Sequence, residues 1–569
     1  MSLTALPIAS WLHTYRREWL RADALAGLTT AAMVLPKAMA LAVIAGLPVQ
    51  TGLYTSLAAM LVYPLLGSSR VLSVTTTTPI AILTAAQVVA VATPGSGAGA
   101  GTVAATLALL VGGILILAWL LRLGFFADFI SKPVLVGFEA GVGVVLVVAQ
   151  LKYVLGVHIT SKTTVGILLE LPGALAHIHW TTVLVAAAGL AVLLGLPRLN
   201  PRLPASLAWV ALSIVASAVF GLQASGVHLV GAVPAGLPSL TLPGLSLAAQ
   251  LWPAALAIAL MSFTESAATV RAFRHGDDAP IDANRELLAL GAANMASAVV
   301  GGLPAGGGAS QSAVAEGAGT RSQMAQWVSA AAAVACLLFL SGAIALLPQA
   351  ALGALILVSA ASMIKPEDFR AIARIRRLEL TWALATFAGV IVIGTLAGIL
   401  VAVAISVLTL LYMAGHPPVY AVAFNRAKQI FRRAGDDPSD ETFPGLLMLR
   451  TEGRIHFANA ANVGAKMWAL VEQTQPRVIV LEASATPDIE YTALGMLIEA
   501  ERKLRASGVS LWLAGLNPDV RQTIERSSLV AAIGRERVYF TLRQALEAYR
   551  ASADQPSSTT GESHADTPA

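Results

Sequence analysis

Cysteine is almost absent from this chain: Cys336 stands alone among 569 residues. One thiol excludes an internal disulfide framework and a thiolate metal cage, and its place inside an apolar run reads as a small core filler. Charge is nearly as scarce. Charged residues make up 12% of the chain against 56% hydrophobic ones, which excludes a soluble domain of this length and points to a polytopic membrane protein. The net charge of +5 does not describe a nucleic-acid binder, because the basic residues sit in the gaps between apolar segments. No nucleophile–base constellation is present, so the chain does not read as an enzyme, and neither a cofactor nor a metal is expected. His158, His177, His179 and His228 are too scattered for a ligand set and read as surface residues. A cleavable leader is not expected either. Residues 1–22 are polar, with Arg16, Arg17, Glu18 and Arg21, and the apolar run that follows is too long for a signal-peptide core.

What the chain has is apolar runs, about fourteen of them, several shorter than the ~20 residues of a simple spanning helix. They cover 24–43, 50–66, 74–92, 102–121, 131–151, 181–197, 205–222, 249–271, 286–302, 309–317, 325–347, 350–364, 378–396 and 397–414. Alternate gaps hold Arg70; Arg122 and Lys132; Arg198 and Arg202; Arg271, Arg274 and Arg285; Arg321; and Lys365, Arg370, Arg374, Arg376 and Arg377. The remaining gaps hold little that is basic beyond Lys152 and Lys162. By the positive-inside rule the first set, both termini and the tail face the cytoplasm of a bacterial-type plasma membrane.

Two of these runs are broken in the same way. One reads Val74-Thr75-Thr76-Thr77-Thr78-Pro79; the other reads Gly301-Gly302-Leu303-Pro304-Ala305-Gly306-Gly307-Gly308-Ala309-Ser310-Gln311-Ser312. Each is expected to be an extended segment giving way to a half-helix inside the membrane, with Thr78 as N-cap and Pro79 as first helical residue in one case. Non-helical backbone at membrane depth survives only where protein buries it or a wet cavity receives it. Paired breaks in two halves of a chain point to a transporter's binding site. Two half-helix N-termini also offer free N–H donors and positive dipole ends, so the expected ligand is a small anion.

Ionisable side chains inside spans are functional candidates by default. Lys37 follows Pro36 in the first span, and Glu265 lies in the eighth with Thr269 one turn later. Lys37 precedes Thr78 by about the distance from Glu265 to Ser310, so the two charges are expected beside the two half-helices. Glu265 reads as the residue that carries a proton or sits near a sodium ion, and Lys37 as an electrostatic partner; a fixed Lys37–Glu265 salt bridge is the structural alternative. The cluster Asp277, Asp278, Asp282, Asn284, Arg285 and Glu286 reads as a solvated, helix-capping face rather than a cation site. Gly306-Gly307-Gly308 lacks the Lys-Ser/Thr ending of a phosphate-binding loop.

Composition changes after His416-Pro417-Pro418. Residues 416–440 read as a polar linker and 441–552 as a small α/β domain. Strands are expected at 446–449, 454–457, 478–481 and 509–513, and amphipathic helices at 459–474, 492–506, 517–528 and 541–550. Residues 553–569, rich in Ser, Thr, Asp and Pro, read as disordered.

Several spaced motifs resemble a known family. Asp23-Ala24-Leu25-Ala26-Gly27, Pro36-Lys37-Ala38-Met39-Ala40, Ala45-Gly46-Leu47-Pro48, Gly52-Leu53-Tyr54 and Gly67-Ser68-Ser69-Arg70 resemble the opening signature of the SulP sulfate permeases. Asn284-Arg285-Glu286-Leu287, Ala293-Asn294, Gly301-Gly302, Pro304, Ser310, Ser312-Ala313 and Ala318-Gly319-Thr320-Arg321 are similar to its second-half pattern, and the tail resembles a STAS domain. The resemblance implies two inverted seven-span repeats over 23–415. It implies a core of spans 1–4 and 8–11, a gate of spans 5–7 and 12–14, and an anion between spans 3 and 10. It also implies elevator-like movement and a homodimer. Three positions depart from the family pattern. Lys37 replaces a common Gln, the Thr75–Pro79 run replaces a Gly-Pro motif, and Gln311 replaces a common Arg whose positive charge Lys37 can supply. In the STAS-like stretch, Tyr491 followed by Thr492 occupies the place of the phosphorylatable hydroxyl, which favours a structural or partner-binding domain.

The expected site therefore comprises Thr75, Thr76, Thr77, Thr78, Gly307, Gly308, Ala309, Ser310, Gln311, Ser312 and Lys37 for the anion, with Glu265 and Thr269 for the coupling ion. The expected activity is proton-coupled anion symport of the sulfate, bicarbonate or dicarboxylate class. The alternatives are a sodium-coupled bicarbonate carrier, an anion exchanger, or a membrane anion sensor that signals through the C-terminal domain to a cytoplasmic protein.

Overall fold

A computed structural model describes residues 10–92, 99–128, 131–161, 163–200, 203–274 and 281–553. Lys162, Asp277, Asp278, residues 1–9 and the tail from 554 on lie outside the described residues. The chain divides into two compact units, 1–407 and 408–569.

The first unit is helical. Its elements are α1 (Leu20–Ile44), α2 (Val49–Leu66), β1 (Val74–Thr75), α3 (Thr78–Val91), α4 (Ala100–Leu120), α5 (Lys132–Leu155), α6 (Thr164–Ala174), α7 (Trp180–Leu199) and α8 (Ala205–Phe220). The second half repeats the series with α9 (Ala248–Ala272), α10 (Ala283–Val299), β2 (Gly306–Gly307), α11 (Ala309–Gly317), α12 (Met324–Phe339), α13 (Ser341–Ala345), α14 (Gln349–Ala361), α15 (Pro366–Ile375), α16 (Arg377–Val392) and α17 (Thr395–Gly415). Among the described residues, seven helical stretches are long and apolar enough to cross a membrane unaided. The shorter ones include α3 and α8; α11 is shorter still.

Packing follows a twofold pattern. α1 packs on α12 as α9 packs on α4; α2 on α12 as α10 on α4; α1 on α11 as α9 on α3; and α5 on α16 as α14 on α7. Exchanging the halves maps each pair onto the next, the contact pattern of two repeats. The first four and the eighth to eleventh spans thus form one packed body, while α5, α7, α14 and α16 form another. Small residues permit the tightest crossings. A Cβ added to Gly52 on α2 would lie 2.0 Å from the Ala38 carbonyl oxygen, so α2 runs against α1 beside Lys37.

Local chemistry explains the element ends. Asp282 caps α10, its side chain accepting from Asn284 N and Arg285 N. Asp23, fully buried near the start of α1, accepts from Arg321 N (2.7 Å), Ser322 N (3.1 Å) and Ser322 Oγ (2.6 Å), tying α1 to the loop before α12. Asp23→Ala strands these donors, and we expect a loss of about 2–3 kcal/mol, the scale of hydrogen bonds to a charged group. A melting temperature unchanged in detergent would contradict this role.

Several expectations need correction. The segment 325–347 is broken at Leu340 into α12 and α13, where Ser341-Gly342 favours helix poorly. The stretch 152–180, a gap between two expected spans, contains α6, capped by Thr163 through Gly166 N. Glu286 is not on a solvated face. It is fully buried and accepts from Tyr63 Oη (2.9 Å), Ser68 N (2.8 Å) and Ser68 Oγ (2.6 Å). Finally, residues 419–433 are not linker, as the second unit shows.

That unit holds β3 (Val419–Asn425), β4 (Ile430–Arg433), β5 (Asp440–Glu441), β6 (Leu446–Thr451), α18 (Ala460–Thr474), β7 (Val478–Glu482), α19 (Tyr491–Ala506), β8 (Ser510–Ala514), α20 (Pro518–Glu525), α21 (Leu529–Ile533), β9 (Val538–Tyr539) and α22 (Leu542–Ala553). The sheet order is β4-β3-β6-β7-β8-β9 with β5 on β3; the β6–β9 pairs are parallel and the pairs of β3 antiparallel. Residues 454–457 form no strand, only a bridge from Ile455 to Ile489. Both sheet faces are covered, one by α18 and α19, the other by α22 through Leu542, Ala545 and Leu546. Tyr491 is exposed at the start of α19.

Candidate anion site

The two breaks meet. β1 and β2 pair antiparallel, Val74 opposite Gly307 and Thr75 opposite Gly306, so the backbone entering α3 runs beside the backbone entering α11. Both segments are buried: residues 71–78 and 302–308 have little exposure, although they lie between apolar helices. Buried extended backbone must find partners, and side chains from both halves supply them. Gly307 N donates to Ser266 Oγ (2.7 Å), and Gly308 N to the Ser73 carbonyl (3.3 Å). Asn294 serves both polar groups of Ala305, accepting from its N (2.9 Å) and donating to its O (3.0 Å). Ser262 Oγ donates to the same carbonyl at 2.7 Å, and Ser56 Oγ and Thr75 Oγ1 share a hydrogen bond of 2.7 Å.

The half-helices themselves are left open. α3 begins one residue earlier than expected, with Thr77 at the N-cap, Thr78 the first helical residue and Pro79 after it. α11 begins after Gly308. The Thr77 side chain does not bond back to α3, and Gly308, at the N-cap of α11, has no side chain to do so. Among the described residues, the amides of Ala309, Ser310 and Gln311 have no protein acceptor. The first turn of a helix without a cap presents such N–H groups to a ligand. Ala309 and Ser310 are exposed, whereas Gln311 and Ser312 are buried. Gln311 Nε2 donates to the Ser73 carbonyl (2.8 Å), and Ser312 Oγ accepts from Ser73 N (3.1 Å). These two side chains therefore hold the break together, and Ser310 is the hydroxyl free to face the opening. Thr76 Oγ1 is buried with no partner among the described residues.

Charge enters symmetrically. Lys37 on α1, in the first half, donates from Nζ to Ser310 Oγ of the second half (2.9 Å). Thr77 of the first half donates from Oγ1 to Glu265 Oε2 on α9, in the second (2.8 Å). Each charged side chain thus reaches the half-helix of the opposite repeat, and neither Lys37 nor Glu265 is ion-paired with the other among the described residues. The ammonium of Lys37 lies against the positive end of α11, an arrangement that favours a bound anion. Thr269 Oγ1 makes neither of these cross-repeat contacts and donates to the Glu265 carbonyl of its own helix (2.7 Å).

Sequence reasoning missed Ser262, Ser266 and Asn294, whose signal was small polar residues one turn apart on otherwise apolar helices. It also missed Glu139, a partly buried carboxylate inside α5. The rule that singled out Lys37 and Glu265 would have found it.

Comparison with known proteins identifies the family. Residues 20–386 match the sulfate permease family and residues 437–545 the STAS domain. A probable sulfate transporter of Mycobacterium tuberculosis is 37% identical over 541 residues, covering 94% of this chain and 96% of the relative. Sulfate transporter 3.2 of Arabidopsis thaliana is 28% identical, over 95% of this chain and 88% of its own. The murine Slc26a9 anion transporter, solved in an inward-facing state, superposes with a TM-score of 0.87 at 22% identity, covering 96% of this chain and 94% of that one; at that identity the likeness speaks for the fold alone. The chain belongs to the sulfate permease family of membrane anion transporters and carries a C-terminal STAS domain.

Proposed function

We propose that this protein is a proton-coupled anion symporter of the plasma membrane with both termini in the cytoplasm. In this reading the anion sits at the uncapped N-termini of α3 and α11, beside Lys37. The observation that carries it is the Lys37–Ser310 contact at an open helix end: an ammonium and a positive dipole in one place call for a negative ligand. Ser310, Ala309, Gly308 and the Thr75–Thr78 segment line the anion's position, while Gln311 and Ser312 hold its floor. Glu265 takes the proton. With Glu265 ionised, Thr77 donates to it; with Glu265 protonated, the carboxyl can donate in turn and lose the negative charge that repels an incoming anion. The packed body of α1–α4 and α9–α12 moves as a unit against α5, α7, α14 and α16, in the manner of an elevator. The assembly is a homodimer embedded in lipid, and the STAS domain is a docking module for a cytoplasmic protein.

Sulfate, named for the mycobacterial and plant relatives, is the first anion to test. The test is uptake into proteoliposomes of labelled sulfate, bicarbonate, chloride, succinate and fumarate, with an inward proton gradient, an inward sodium gradient, or neither. Gradient-stimulated uptake of one anion by protons names the substrate and establishes symport. Stimulation by sodium alone, or uptake driven only by an internal anion, replaces symport of protons with sodium coupling or exchange. No uptake of any anion moves the sensor reading forward.

A further inference from the structure

A second polar cavity lies away from the anion site, at the end of α5 remote from Lys132. Its volume is about 290 Å³, and Lys152, Tyr153, His158, Thr182, His228 and Gln349 contribute its polar lining. These residues come from four separate parts of the chain. Backbone contacts fix them: His179 N donates to the Leu155 carbonyl (3.1 Å), Gln349 N to the His228 carbonyl (2.9 Å), and Val230 N to the Leu347 carbonyl (2.9 Å). Gly156 turns the chain at φ +66, and a Cβ there would lie 2.8 Å from that of His179, so the turn requires glycine. The cavity is therefore framed by backbone rather than left by loose loops.

Its chemistry is one-sided. Among the described residues no carboxylate lines it. Among the described residues no acidic group pairs with Lys152, whose ammonium rests 4.8 Å from the centre of the Tyr153 ring. Among the described residues, no side-chain hydrogen bond reaches the rings of His158 and His228 or the hydroxyl of Tyr153. Two donors are already engaged: Gln349 Nε2 with the Leu229 carbonyl (3.2 Å), and Thr182 Oγ1 with His179 Nδ1 (2.7 Å). Among the described residues, the titratable side chains nearby are His179, behind Thr182, and Glu170, which accepts from Ser161 Oγ, Thr160 N and Ser161 N. Those hydrogen bonds, led by the one from Ser161, pull the Glu170 carboxyl down to about 2, so it stays ionised above pH 5 and contributes a constant charge. One ammonium, two free imidazoles and a free phenol around one concavity suit an acceptor-only ligand with two negative charges.

We propose that this cavity is a second anion site, for a small divalent oxyanion held by the Lys152 ammonium together with the Tyr153 hydroxyl and the rings of His158 and His228. The site does not depend on the transport mechanism above. Sulfate is the probe, bound to full-length protein in detergent and measured by equilibrium dialysis. The wild type should bind two sulfates per chain, one at the transport site and one in this cavity. Lys152→Ala and the double variant His158→Gln, His228→Gln should each lose the cavity ion and keep transport-site binding. Lys37→Gln should weaken transport-site binding and leave the cavity ion in place. If the transport reading fails while this one holds, a single sulfate is bound, lost in Lys152→Ala and kept in Lys37→Gln. No sulfate bound, or no bound sulfate that either set of cavity substitutions removes, overturns the proposal. Unchanged size-exclusion profiles confirm that the variants are folded.

Discussion

Glu265→Gln should abolish proton-driven accumulation while leaving anion exchange. A gradient of about two pH units supplies ~2.7 kcal/mol per proton, enough for a steady-state accumulation of about 100-fold with one proton per anion at zero membrane potential. Gln keeps the size of the side chain and an oxygen to accept from Thr77 Oγ1, so the contact between α9 and the start of α3 survives. What it removes is the exchangeable proton. The accumulation ratio should fall to about one, a loss of the whole ~2.7 kcal/mol. Anion-for-anion exchange should continue, because the variant resembles the protonated carrier at every pH. A variant that still concentrates anion against its gradient places the proton elsewhere, with Glu139, a partly buried carboxylate inside α5, the next candidate.

Lys37→Gln should weaken anion affinity by about 10- to 100-fold, matching the ~1.5–3 kcal/mol of a hydrogen bond to a charged group. The ammonium is held beside the first turn of α11 by Ser310, so its loss removes charge next to the open amides without unpacking α1. The family resemblance makes the effect more specific. Gln is common at this position and Arg at that of Gln311, so Lys37→Gln combined with Gln311→Arg moves the positive charge one side chain over. That double variant should recover part of the lost affinity, whereas Gln311→Arg alone disturbs the Gln311–Ser73 hydrogen bond and should not exceed wild type. Measured by dialysis or competition uptake, equal affinities for wild type and Lys37→Gln would remove Lys37 from the site.

The central break was legible because its signal is local. Four threonines and a proline, or a run of glycines, cannot continue an apolar helix, and charges inside spans are too costly to be incidental. The partners of those groups were not legible. That Thr77 meets Glu265, and Lys37 meets Ser310, depends on how the two halves interlock, which no window of sequence contains. The same limit explains Glu286. Its neighbours Asp282, Asn284 and Arg285 are polar, so the stretch reads as a surface, yet the helix turns Glu286 inward to Tyr63 and Ser68. In the second unit, β3 and β4 were hidden because arginines and aspartates follow Val419–Asn425 closely. The strand is identifiable only through its pairing with β6. The four histidines lie at or near the surface, as their scatter suggests, but only the fold shows that two of them share one cavity, through the contact between 228–230 and 347–349.

The location of the anion is the central claim, and the single cysteine makes it directly testable. In a Cys336→Ala background, Ser310→Cys places a thiol at the exposed start of α11 and Ser362→Cys places a control at the far end of α14. Both are labelled in proteoliposomes with a small charged thiol reagent, with and without saturating transported anion. The account predicts that anion slows modification at position 310 about 10-fold or more, in keeping with occupancy of a site saturated well above its dissociation constant, and leaves position 362 unchanged. Labelling at 310 that proceeds at the same rate with anion present would contradict a site at the α3 and α11 termini.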